Sequence, residues 1–573
     1  MRTRVGLALV CALGLAVAPG ISAYAKSKHA DQARQFQKPL TGDEKILQTL
    51  NRLTWGPRPG DVGEVKSVGL KKWIDRQLHP ESIAENAALE EKLKTLDTLT
   101  MSGAELVRNY PTPQMVRQMV NGQLPFPADP DRKLMLTKLM EKFEQRQAKG
   151  GDAAAAPGPA NGKALSDLFP PAEVRSLRQG SPQQRLAAFL ALPREKQDDA
   201  IGAMPQGLRQ GLLAIAAPDL RRRIEMANGP QQMVARDLYE GKLLRAIYSN
   251  RQLDDVLTDF WFNHFNVYLD KGADRYLVTE YERDVIRPHV LGKFKELLEA
   301  TAKSPAMLFY LDNWQSVGPV GAQAQGKKNA RGLNENYGRE LLELHTLGVD
   351  GGYTQTDVTE AARCFTGWTI RQPQRGGEFF FNGRVHDEGE KIVLGVRISA
   401  GGGMSDGEKV LDLVAHHPST AHFISQQLAI RFVADEPPAS LVDRMAETFR
   451  KTDGDLRAVM KTMLESREFF SQGAWRSKLK SPLEVVASAV RASGGEVDYA
   501  FPLANQVAQL GQPLYRKQEP TGYANFSREW LNSGGLLARM NFAVQLADNK
   551  VPGVKVDAPA AGIALGSPEF QKR

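Results

Sequence analysis

Apolar positions recur at intervals of three and four along most of the chain, the spacing that gathers them on one side of an α-helix. Ile46, Leu47, Leu50 and Leu53 open the pattern, which stops at Trp55-Gly56-Pro57-Arg58-Pro59, a run of turn formers. Val65, Val68, Leu70, Trp73, Ile74 and Leu78 resume it and predict an amphipathic helix over 62–78. Residues 41–80 thus read as an N-terminal helical segment of the main domain. Between 81 and 230 the pattern is broken at 150–162 by GGDAAAAPGPANG, a linker with nothing to bury. Past it, 182–192 and 205–217 predict two short helices, with Leu186, Phe189 and Leu190 on one inner face and Leu208, Leu212 and Leu213 on the other. This region reads as a helical insertion or cap, and its Arg221-Arg222-Arg223 run as a solvated face.

From 231 to 545 the helical spacing tightens into a main helical domain, followed by a Pro/Gly/Ala tail over 546–573. Strand signals appear only at 378–381 and 392–394, separated by NGRVHDEGEK. The expected fold is mainly α: a large multi-helix domain with a small β-hairpin excursion near 378–395 and a helical insertion. No repeat of fixed period is present.

Residues 1–25 predict a secretory signal peptide: Arg2 and Arg4, the apolar run Val5–Ala18, and the small-x-small site Ala23-Tyr24-Ala25. The run falls short of the roughly 20 residues a membrane-spanning helix needs, and nothing after it resembles a stop-transfer segment. Export to the periplasm or beyond is the expectation, with 26–40 disordered after cleavage and no transmembrane segment left. Cys11 would leave with the signal. A lone Cys364 cannot close an internal disulfide or build a thiolate zinc site. The net charge of +8 is mild for 573 residues. It fits weak attraction to anionic envelope polymers, and solubility explains it equally well. No basic stripe interleaved with aromatics is present, so nucleic acid is not an expected partner.

Candidate chemistry concentrates in 332–368, GLNENYGRELLELHTLGVDGGYTQTDVTEAARCFTGW. With Asn334 as helix N-cap, Asn336, Glu340 and Glu343 share one face with Arg339 beside them, while Leu341, Leu342 and His345 point the other way. Gly348 is placed to end that helix. Thr354 and Asp357 then form a capping-box-like start to a second helix, on which Asp357, Glu360 and Cys364 share a face with Arg363 alongside. Should the two acidic faces appose, Glu340, Glu343, Asp357 and Glu360 would meet with Arg339 and Arg363 at the rim. Clustered carboxylates either bind a hard divalent cation through oxygen or raise one another's pKa for acid–base work. The same spacings also make ordinary surface pairs, Arg339–Glu343 and Glu360–Arg363, worth about 0.3–0.5 kcal/mol each. Both readings stand on spacing alone. His264, in FWFNHF, and His386, beside Asp387 in the loop between the strand signals, are further acid–base or ligand candidates; each also fits a core or turn role. The chain has no Walker, G-x-G-x-x-G or H-E-x-x-H motif.

LNRLTWGPRPGDV, FWFNHF, RPHVLGKFKELLEATAKSPAMLFYLDN, NENYGRELLELHTLGVDGGYTQTDV, ARCFTGW, HDEGEKIVLG, HPSTAHFISQQLAIRFVAD and GQPLY resemble, in order, the successive blocks of the bacterial domain-of-unknown-function 1800 family. The similarity spans about 45–545. GQPLYRKQEPTGYANFSREWL departs from it in carrying Gly-Tyr where the family has Gly-Trp. The resemblance implies an exported, largely helical bacterial protein with a sulfatase-like exported protein as partner, and it implies no activity or cofactor.

The leading expectation is an exported enzyme, hydrolase or lyase in type, on an envelope or extracellular polymer, with envelope polysaccharide an expected partner. Glu340, Glu343, Asp357, Glu360, His264 and His386 would supply acid–base groups or ligands to a divalent metal ion, and Arg339, Arg363 and Asn336 would hold substrate. The rival is a non-catalytic secreted scaffold that binds a partner and keeps these groups in an internal salt-bridge network. A haem or di-metal oxidoreductase using His264 is a third reading, weakened by the missing paired Glu-x-x-His spacing.

Overall fold

Thr41 starts helix α1 (Gly42–Leu53) through a capping box. Its hydroxyl accepts from the Glu44 amide, and its own N–H donates to the Glu44 carboxylate at 2.7 Å. The computed structural model describes residues 33–148, 164–227, 229–319, 332–556 and 561–573. The expected signal segment, Cys11 and the 150–162 linker lie outside them. The stripe over 62–78 folds as two helices, α2 (Asp61–Val68) and α3 (Leu70–Leu78), because Gly69 takes φ +90° between them. An L side chain rarely adopts that angle, so the glycine fixes the break.

Residues between 165 and 224 gather a second, smaller core. α4 (Pro182–Leu190) and α5 (Gln206–Leu213) bring Phe189, Leu212 and Leu213 together with Ile201 and Ile224. Tyr499, from much later in the chain, closes this cluster. The next helix, α6 (Pro218–Met226), corrects the expectation for the arginine run. Arg221 is buried and donates to the carbonyls of Asp498 and Ala216, both at 2.8 Å. Arg222 pairs with Asp97 and Asp237, and Arg223 with Asp198 at 2.8 Å. Successive residues leave a helix about 100° apart, so three neighbouring arginines reach three different surroundings.

The main core is built on α7 (Gln232–Tyr248) and α8 (Gln252–His264). Phe260, Trp261 and Phe265 of α8 and its C-cap are at most 2% exposed. Trp261 lies at 6.0 Å from both the Phe265 and Phe294 rings. Burying each such side chain stabilises the fold by about 1.5–3 kcal/mol relative to leaving it in water. Two further helices, α9 (Asn336–Glu340) and α10 (Gln355–Cys364), pack against this core through Tyr337, Val358 and Phe365.

The β excursion is built as two hairpins. β1 (Trp368–Ile370) pairs antiparallel with β2 (Phe379–Phe381), and β3 (Lys391–Val393) with β4 (Val396–Ile398). The two strand signals therefore belong to different hairpins. Their partners are three residues each, too short to show alternation. The second hairpin turns at Leu394 and Gly395, both with positive φ (+50° and +77°), as a two-residue turn between right-twisted strands requires. A third pairing joins Glu496–Val497 to Val554–Lys555. Later helices, among them α11 (Pro418–Phe432) and α12 (Pro482–Ala492), complete a mainly α architecture. Among the described residues no helix is long and apolar enough to cross a membrane.

Candidate functional site

Asn334 begins α9 by accepting the Asn336 amide at 2.8 Å. Gly338 lets α9 lie directly on α10: a Cβ there would stand 2.9 Å from the Val358 carbonyl oxygen and 3.0 Å from the Ala362 nitrogen. Past Glu340 the backbone widens into a π-helical turn, Leu341–Thr346, in which Leu347 N–H donates to the Leu342 carbonyl at 3.0 Å. Such turns are rare and often lie at functional sites. Gly348 ends it at φ +85°, with a Cβ position only 2.8 Å from the Phe423 ring. Leu341, Leu342 and His345 are buried, while Glu340 and Glu343 stand half-buried on the other side.

Glu343 opens into a cleft of about 300 Å³, whose walls include Phe260 and His264 of α8, Phe423 and Gln427 of α11, and the loop 521–526. That loop is pinned by Asn263, whose side chain donates to the Tyr523 carbonyl at 2.7 Å and accepts the Tyr523 amide at 2.6 Å. Gly522 (φ +67°) makes the approach possible, since a Cβ would lie 2.2 Å from the Asn263 carbonyl oxygen. The Gly-Tyr corner thus forms one wall of the cleft.

The groups around the cleft are electrostatically unequal. Glu343 accepts the Tyr353 hydroxyl at 3.0 Å, and burial together with this bond pushes the Tyr353 phenol up to about 12. Burial, with the Glu343 charge adding to it, pushes Glu340 up to about 7 against the opposing pull of Arg339. Burial pushes His264 down to about 4. The neutral ring donates from Nε2 to the His345 carbonyl at 3.0 Å, which leaves Nδ1 with its lone pair. His345 itself is a core residue, pushed down to about 3 by burial.

The other candidates lie elsewhere. Asp357 accepts Thr354 N–H at 2.8 Å, and its second oxygen takes the Leu394 amide at 2.7 Å. Glu360 accepts the Ile392 amide at 3.1 Å and the Arg363 guanidinium at 2.8 Å. Arg363 reaches on to Asp387 at 2.8 Å. The acidic face of α10 therefore clasps the β3–β4 hairpin, and the apposition of two acidic faces around one site does not form. Of the four carboxylates only Glu343 lines the cleft. His386 is buried under that hairpin, bonded to the Thr366 carbonyl at 2.7 Å and within 3.3 Å of Asp406, which Lys391 holds at 2.7 Å. Arg339 pairs with Glu335 at 3.5 Å and Gln355 at 3.0 Å, and Asn336 is exposed at the start of α9.

Among the described residues, no group of three or more His, Cys, Asp or Glu side chains converges as a metal site would require. Sequence reasoning missed Tyr353, Phe423 and Gln427, and marked the Gly522-Tyr523 corner only as a departure from the family. Tyr353 lay inside the stretch singled out, between its two helices; the others come from segments 80 to 180 positions away, and nothing local ties them to it. The profile of the family described as a protein of unknown function (DUF1800) matches residues 48–571. No curated protein and no solved structure matches the chain.

Proposed function

Because the chain belongs to the DUF1800 family along residues 48–571, a family defined by its unknown function, we propose its role from its own cleft: an exported enzyme that cleaves an envelope or extracellular polysaccharide. One observation carries the reading. Glu343 opens into a cleft flanked by a neutral histidine, with a second carboxyl, Glu340, one helical step behind it and held near neutrality. A carboxyl whose surroundings raise its proton affinity toward neutral pH, set beside a second carboxyl, suits acid–base cleavage. The walls fit the substrate class: Phe260, Phe423, Tyr523 and Phe526 offer apolar faces and Gln427 and Asn525 offer amides, matching sugar rings with C–H faces and hydroxyl edges. Glu343, assisted by His264, would take or deliver the proton at the scissile bond, and Glu340 would share it. The periplasm, and a sulfatase-like protein that trims the same polymer, remain part of this proposal.

The test is release of new reducing ends from polysaccharide extracted from the cell envelope. Gln427→Trp fills the cleft without touching either carboxyl, so release falls to background while thermal unfolding stays within a few degrees of wild type. Full activity in that variant removes the cleft from the reaction. A second reading, a partner-binding scaffold, is favoured by the way Asp357, Glu360 and Arg363 are consumed in holding the hairpin. Absence of any cleavage by the wild-type protein would leave that reading in its place.

A further inference from the structure

The wall formed by Phe260, Asn263, Tyr523, Ala524 and Asn525 has a second face. On its other side lies a smaller pocket of about 30 Å³, whose lining includes Trp530, Arg431 and Arg573. Arg431 and Arg573 line the pocket, and Arg52, Lys478, Lys480 and Arg539 lie around that pair outside its lining. Arg52, Arg431, Lys478, Lys480, Arg539 and Arg573 are each at most 6% exposed. Against them stand two carboxylates. Glu484 takes Arg431 and Arg573 (the latter at 3.1 Å) on one oxygen and the Ser481 amide at 2.8 Å on the other. Asp435 takes Lys478 and the Ser527 amide. Asp259 also lines the pocket but is engaged by Lys242 at 2.9 Å.

Counting side chains alone, six cationic groups stand against Glu484 and Asp435, and the main-chain carboxylate of Arg573, whose oxygen accepts the Lys478 amide at 3.2 Å, lies among them. Arg52 meets carbonyls and the Ser477 hydroxyl, Lys480 the Ser488 hydroxyl at 3.1 Å, and Arg539 the Gln571 amide oxygen at 3.0 Å; among the described residues none of the three has a carboxylate within ion-pair distance. Nε and Nη1 of Arg52 and Nε of Arg573 are buried without a hydrogen-bond partner. Uncompensated buried charges cost several kcal/mol each in general, and guanidinium groups in that state accept an oxyanion readily. Burial accordingly pushes Lys478 and Lys480 down to about 7 and Arg573 to about 9.

We propose that this pocket binds an oxyanion, the carboxylate, sulfate or phosphate group of the polymer whose rings lie in the adjoining cleft. The inference rests on the cleft reading for the identity of the polymer, and on the arginine cluster for the anion. A pocket of this size admits a group of a few atoms and no ring, so the acid enters it while the ring stays in the larger space.

Calorimetry of the full-length protein with inorganic phosphate and sulfate, at constant ionic strength against chloride, tests the cluster. Saturable binding of either oxyanion is expected. Asn525→Asp sets a like charge at the mouth and weakens that binding by about tenfold, the scale of one charge–charge contact near a protein surface. Arg573→Met abolishes it; if that variant fails to fold, the Asn525 variant still decides. Oxyanions that bind no better than chloride overturn the proposal. Polygalacturonate, compared with its carboxyl-reduced neutral form, tests the source of the anion. Wild type prefers the acidic polymer by about tenfold and Asn525→Asp loses the preference. Phosphate binding without that preference would mean a free ion occupies the pocket and would overturn the link to the polymer. Phosphate binding that persists while the wild type cleaves no polysaccharide would overturn the cleft reading and leave the anion pocket standing.

Discussion

Glu340 and Glu360 began as equivalent members of one acidic stretch, and their surroundings have made them different. Glu360 has every oxygen engaged by Arg363 and a hairpin amide, whereas Glu340 is half-buried beside another carboxyl and has been pushed up to about 7. The linkage follows from the direction of that shift. A carboxyl whose proton affinity is higher in the folded state contributes stability that is complete below its ordinary range and is lost as pH rises through about 7. Glu340→Gln removes this dependence. Its melting temperature, subtracted from that of wild type over pH 4.5 to 8, should show the variant gaining steadily toward the alkaline end. A flat difference would mean that Glu340 titrates as an ordinary surface acid.

The pair of helices around the π turn was the most legible element and also the most misleading. Asn334, Thr354, Asp357 and Gly348 announced both starts and one stop, and the backbone follows them. What the helical wheel could not show is which way the two faces turn. Gly338 brings α9 directly against the α10 backbone, and with the helices so packed the α10 acids reach β3–β4. The same limit explains the arginine run on α6 and the strand partners: periodicity reports a face, while its neighbour is chosen by tertiary packing. Gly338→Val puts branched carbons where a single Cβ already approaches backbone atoms at 2.9 Å and should destabilise the protein by about 1–3 kcal/mol in urea unfolding. An unchanged midpoint would show that the two helices can separate without cost.

Across the whole molecule, the fold class and the order of helices were readable from 3.6-residue spacing, because most of the chain is half-exposed helix. The cleft was not readable, since its walls come from α8, the π turn, α11 and the 521–526 loop, joined only by the fold. The arginine cluster escaped for the same reason: Arg52, Arg431 and Arg573 lie in separate segments and converge only once the chain is packed. Residues 332–368 are thus split between two places, with Glu343 lining the cleft and Asp357, Glu360 and Arg363 holding a hairpin in place.

That division is tested most directly by measuring polysaccharide cleavage and thermal unfolding side by side in Glu343→Gln and Glu360→Gln. Glu343→Gln is predicted to abolish release of reducing ends with unfolding unchanged. Glu360→Gln is predicted to lose about 1.5–3 kcal/mol of stability, the range for a hydrogen bond to a charged group, while the folded fraction cleaves normally. Cleavage retained in the Glu343 variant and lost in a stably folded Glu360 variant would contradict the account.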